Sequence, residues 1–90
     1  MAKDTFAASG TGTEVHARTS VVYYADFTTG SGSGSAQLQV KVDGDWIPAD
    51  DAVTATMTTA EVTEAKDVPL TFRWNVTRSG GTIYTYLKGA

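Results

Sequence analysis

The chain has no cysteine, one histidine and only two prolines in 90 residues. Without cysteine there are no disulfides and no thiolate metal sites. That suits a protein made in a reducing cytoplasm. The single His16 lacks companions at ligand spacing, which leaves it as a strand residue facing solvent or a polar pocket. Long apolar runs are missing too, so nothing in the sequence is built to span a bilayer. No apolar signal-peptide core follows Met1, so the expectation is a soluble product not exported by that route. Basic residues are few: seven Lys and Arg against ten Asp and Glu give a net charge of -3 and a pI near 4.8. The seven are scattered from Lys3 to Lys88 without forming a stripe, which argues against direct nucleic-acid binding and against an anionic membrane surface.

What the chain does contain is β-branched side chains. Fifteen Thr, nine Val and two Ile are stiff at χ1 and pack well on a pleated surface, the composition of an all-β protein. The expected fold is an antiparallel β-sandwich, jelly-roll or immunoglobulin-like, of about seven to eight strands, with turn signals at short intervals. Residues 1–14 read as an N-terminal arm or first edge strand, and 15–90 as a single sandwich domain.

The last third organises the rest. Phe72, Trp74 and Val76 alternate with polar neighbours, and Ile83, Thr85 and Leu87 alternate with Tyr84, Tyr86 and Lys88. A two-residue hairpin turn at Gly80 would place Phe72, Trp74, Val76, Ile83, Thr85 and Leu87 on one inner face. A three-residue loop would turn Tyr84 and Tyr86 inward instead; the two-residue register is the expectation. Earlier in the chain, Phe6 is the one large apolar residue among the first fourteen, an anchor to the body or to a neighbouring subunit, with packing inside the chain the plainer reading. Ser20–Phe27 carries apolar residues on both parities, including Tyr23 and Tyr24, as in a central strand or one covered by another chain. Residues 28–35 read as a flexible Gly/Ser loop.

Residues 36–43 alternate, with Leu38, Val40 and Val42 inward and Gln37, Gln39 and Lys41 outward. Asp43 and Gly44 form the strongest hairpin signal in the chain. A two-residue turn there pairs Lys41 with Trp46 on the outer face, in reach of a cation–π contact. Pro48 makes the returning arm short or an edge strand. Val53, Ala55 and Met57 suggest a further, weaker strand over 51–60. Residues 59–66 are too short for an independent helix and read as a connection.

Little here has the spacing of chemistry. The glycines and serines of 30–34 do not make a nucleophile elbow, and they lack the Lys and helix of a phosphate loop. Asp43, Asp45, Asp50 and Asp51 surround the Trp46 turn, but not in a calcium-loop pattern, so a solvated acidic face is the simpler account. Asn75–Thr77 matches a glycosylation triplet by chance within a strand. The expectation is a protein that is not an enzyme and has no cofactor or metal. Exposed aromatics anchor interfaces or stack on sugars. The interface candidates are Phe6, Tyr23, Tyr24, Trp46, Tyr84 and Tyr86.

Two stretches, Gln37 to Trp46 and Phe72 to Tyr86, carry a resemblance. The first is an alternating strand with a D-G turn and a Trp. The second is an aromatic-Arg-aromatic-Asn-Val-Thr strand, a Ser-Gly turn and a Thr- and Tyr-rich strand. Over residues 36–88 the chain resembles small β-sandwich virion proteins of tailed bacteriophages, in particular capsid decoration (cement) and tail-accessory proteins. The resemblance implies a structural role in many copies, no cofactor, and location in the virion after synthesis in the host cytoplasm. Its implied partners are other virion proteins, the major capsid or tail proteins, and further copies of itself, a trimer being one such homo-oligomer. The alternative is a carbohydrate-binding β-sandwich module that uses Trp46 and the tyrosines as a stacking platform.

Overall fold

A computed structural model of the chain describes residues 2–57, the backbone of 61–64, and residues 70–90. The strands in chain order are β1 (Ala2–Phe6), β2 (Gly10–Thr11), β3 (Val15–Ala17), β4 (Ser20–Asp26), β5 (Ser33–Val42), β6 (Asp45–Pro48), β7 (Glu61–Glu64), β8 (Leu70–Gly80) and β9 (Ile83–Gly89). They form two antiparallel sheets packed as a β-sandwich. Sheet A has the order β1-β9-β4-β7, and sheet B the order β2-β8-β5-β6. β3 pairs with β8 at Phe72 and β2 pairs with it at Asn75 and Val76, so the two short strands behave as one interrupted edge.

The core follows the period of two. Val21, Tyr23, Ala25, Leu38, Val40, Phe72, Trp74, Val76, Ile83 and Leu87 are buried between the sheets. β-Branched and aromatic side chains on alternating positions supply this interior, each apolar face hidden by the opposite sheet.

The C-terminal strands depart from the expected hairpin. β8 lies in sheet B and β9 in sheet A, so the Gly80–Gly81 link is an arch between sheets and the two strands are not partners. The inner faces are nevertheless the expected ones: Phe72, Trp74 and Val76 look across the core at Ile83, Thr85 and Leu87. β9 instead pairs with β1 and β4, and β8 with β5. Changing sheets is the habit of this chain. Apart from β2–β3 and β5–β6, consecutive strands lie in different sheets.

The β5–β6 hairpin has the anticipated register, with Val42 opposite Asp45, Lys41 opposite Trp46 and Val40 opposite Ile47. Asp43 and Gly44 both take positive φ, 51° and 84°, the geometry of a type I′ turn that matches strand twist. Val42, expected inward, is 42% exposed because it lies at the turn end of β5.

Three other expectations are corrected. The Gly/Ser stretch is a tight turn at 28–30 followed directly by strand from Ser33, with Thr82 N–H donating to Gly30 O at 3.0 Å. Residues 51–57 form no strand. Val53 alone exchanges two hydrogen bonds with Ala36, and the segment then crosses to sheet A, where Met57 N–H donates to Ala25 O. Residues 58–60 of that expected strand lie outside the described residues. Within 59–66, read as a connection, Glu61–Glu64 is the strand β7 paired with β4; residues 59, 60, 65 and 66 lie outside the described residues. At the other end of the chain, β1 is the edge strand of sheet A.

Candidate functional site: the tyrosine face of sheet A

Strand alternation directs the even positions of β4 and β9 and the odd positions of β1 away from the core. The register lines these side chains into rows. Lys3 of β1 stands opposite Tyr86 of β9, which stands opposite Tyr24 of β4. The next row runs Thr5, Tyr84 and Asp26. Between the rows is a shallow depression of about 300 Å³, lined by Lys3, Asp4, Thr5, Tyr24, Asp26, Tyr84, Thr85 and Tyr86. Tyr84 is the most open of the tyrosines, at 38% exposure. Lys88 and Val22 continue the face as a third row.

Asp26 has a second task. Its carboxylate accepts from Thr28 N–H at 2.9 Å, Thr29 N–H at 3.1 Å, the Thr29 hydroxyl at 2.5 Å and the Thr56 hydroxyl at 3.3 Å. The Thr29 hydroxyl and then the Thr29 amide hold its carboxyl below the ordinary range, outweighing desolvation. The group is therefore a fixed anion at one corner of the tyrosine face. Thr56 Oγ1 also accepts from the amides of Phe27 and Thr28, tying the 51–57 crossing segment to this corner.

The six aromatic candidates separate into three places. Tyr24, Tyr84 and Tyr86 come together on the outer face of sheet A. Phe6 and Tyr23 are buried in the chain's own core, at 7% and 3% exposure, and are not available as surface contacts. Alternation explains both: Phe6 pairs with the inward Ile83, and Tyr23 with the inward Leu87. Trp46 sits on the outer face of sheet B, the opposite side of the molecule. Its ring carries the Arg73 guanidinium at 4.0 Å, with the Lys41 ammonium farther off at 5.9 Å. Arg73 Nε in turn donates to Gln39 Oε1 at 2.9 Å. Lys41 was legible as a neighbour of Trp46 from the hairpin; Arg73 was not, because its approach depends on β8 pairing with β5.

His16 is exposed on β3, with Nδ1 2.9 Å from the Thr71 hydroxyl. The four aspartates around the Trp46 turn do not act as one group: the Asp50 carboxylate accepts the Tyr23 hydroxyl, while Asp43 lies in the turn itself. Among the described residues, no three His, Asp or Glu side chains are grouped to hold a metal ion. A second depression of about 590 Å³ lies along the crossing segment, lined by Tyr23, Asp50, Asp51 and residues 53–57. Its walls are hydroxyls, carboxylates and small apolar groups on a loop, a poorer platform than the tyrosine rows. No protein-family model, curated protein or solved structure matches this chain.

Proposed function

We propose that the protein is a non-enzymatic virion structural protein of a tailed phage, a decoration or tail-accessory subunit that associates with its neighbours through the tyrosine face of sheet A. The observation that carries the docking role is the register of Tyr24, Tyr84 and Tyr86 on adjacent strands. Tyrosines present large, rigid contact area at low entropic cost and still hydrogen-bond at the tip, which suits a protein–protein contact. The virion setting rests on the sequence resemblance over residues 36–88. Capsid or tail proteins would be the attachment partners, and copies of the chain itself the lateral ones. Immunogold labelling of particles purified from a host carrying the coding sequence in its genomic context tests this. Label in many copies on capsid or tail is the expected result; unlabelled particles overturn it.

A second reading, a carbohydrate-binding module, draws on the same depression, since tyrosine rings beside Lys3, Thr5 and Asp26 combine a stacking surface with polar groups. Trp46 is not part of that platform, because it lies on the outer face of sheet B with Arg73 over its ring. Retention on a glycan array that is lost in Tyr84→Ala would favour this reading over the first.

A further inference from the structure

We propose that the occupant of the tyrosine face is a second copy of this chain, docked about a two-fold axis that runs through the depression between Tyr84 and Tyr86. This rests on the reading of the face as a protein contact and names its partner. Lys3 stands at the β1 end of one row, and Asp26 at the β4 end of the next, with Tyr84 and Tyr86 of β9 between them. Opposite charges thus occupy opposite corners of an aromatic centre.

A face with that layout is complementary to itself. In a two-fold interface residue i of one copy meets residue j of the other, and j meets i. An axis lying parallel to the sheet, midway between Lys3 and Asp26 and perpendicular to the line joining them, crosses β9 between Tyr84 and Tyr86. Rotation about it carries Lys3 of one copy over Asp26 of the other, twice, and gathers the tyrosines of both copies in the middle. Asp26 is already held in place by Thr28, Thr29 and Thr56, so little ordering of that side chain remains to oppose pairing. A three-fold arrangement does not produce this reciprocity, because its contacts are head to tail. The charge pairs fix the register, and the central aromatics supply most of the attraction.

The test is light scattering on the purified chain over a dilution series reaching about 1 mM, a range suited to a micromolar-class contact. The expected mass at the upper end is twice the 9.5 kDa of the monomer. Tyr84→Arg alters an exposed side chain and should leave the melting temperature of the dilute, monomeric chain unchanged while giving a monomer throughout. Lys3→Glu should weaken association by about tenfold or more, since it sets a carboxylate against Asp26. An equimolar mixture of Lys3→Glu with Asp26→Lys should recover a heterodimer. Because Asp26→Lys also removes a turn staple, salt gives an independent check: added salt weakens the wild-type dimer but strengthens association of Lys3→Glu. A wild-type monomer at every concentration overturns the proposal, as does a trimer, or an oligomer indifferent to Tyr84→Arg. Labelled virions with a monomeric purified chain would overturn this inference alone. Unlabelled particles with a Tyr84-dependent dimer would overturn only the virion reading.

Discussion

Trp74 of β8 and Tyr23 of β4 meet edge to face across the two sheets, with ring centroids 5.8 Å apart and planes inclined at 65°. The Trp74 indole N–H also donates to Tyr86 O at 3.1 Å, a second bond between sheets. Tyr23 extends the connection outward, its hydroxyl donating to the Asp50 carboxylate just beyond β6. One pair of rings therefore links both sheets and the segment that crosses between them.

Tyr23→Phe should keep the ring contact and lose the bond to Asp50. The expected cost is about 1 kcal/mol, the usual net worth of one such hydrogen bond, read from urea unfolding at pH 7. The loss should depend on pH. The Tyr23 hydroxyl, followed by the Asp51 amide, holds the Asp50 carboxyl below its ordinary value. A carboxyl depressed by folding contributes stability that is present above the unfolded pKa, about 3.9, and lost as pH falls through the lower folded value. The gap between wild type and Tyr23→Phe should narrow below about pH 4. A gap that stays constant from pH 7 to pH 2 would contradict the link.

Thr85→Val should stabilise the protein. Thr85 is 4% exposed and faces the core, where its hydroxyl has no hydrogen-bond partner among the described residues. Valine has nearly the same shape and leaves no polar atom to desolvate. A gain of about 1 kcal/mol is expected, a rise in Tm of about 4–8 °C for a domain of this size. Calorimetry decides it, and a fall in Tm would mean the hydroxyl is satisfied by an ordered water.

Arg73 and Trp46 should couple. With the guanidinium 4.0 Å from the ring centroid, a double-mutant cycle using Arg73→Ala and Trp46→Ala is expected to give about 0.5–1 kcal/mol of interaction, the range of exposed cation–π pairs. The same cycle with Lys41→Ala, whose ammonium is 5.9 Å away, should give less. Equal values would mean that proximity to the ring does not set the energy.

These contacts show what the sequence made legible. Alternation identified the core-facing side chains of β8 and β9, and those of β5 as far as Val40 but not Val42, because the period of two depends only on the strand itself. It did not identify partners. A hairpin at Gly80 and an arch at the same place both bury Phe72, Trp74, Val76, Ile83, Thr85 and Leu87, and only the pairing of β8 with β5 and β9 with β4 distinguishes them. The tyrosine rows were hidden for that reason: Tyr24 and Tyr86 are 62 positions apart in a chain whose neighbours in sequence change sheets. The D-G turn was legible in full, since its register is set by two residues. Val53, Ala55 and Met57 alternate like a strand, yet only Val53 finds a ladder partner among the described residues. There the segment's work is to cross the sandwich, and periodicity carries no signal for that.

Gly44 and Gly34 offer the sharpest separation of backbone strain from steric contact. Gly44 has φ of 84° in the type I′ turn, and a methyl group added there would meet nothing within 4 Å. Gly34 has φ of 132° at the irregularity where β5 joins β8, and a methyl group there would run into the Thr77 carbonyl and the Arg78 Cα. Gly44→Ala thus tests the left-handed conformation alone, at an expected cost of about 1–2 kcal/mol. Gly34→Ala adds a clash with a neighbouring strand that cannot move without breaking its ladder, so its cost should exceed that of Gly44→Ala by about 1 kcal/mol or more. Urea unfolding of both variants measures the difference directly. If the two cost the same, β5 would have to shift away from β8 at Gly34, and the Ser35–Thr77 and Ala36–Val76 pairs should then lose amide-exchange protection in that variant.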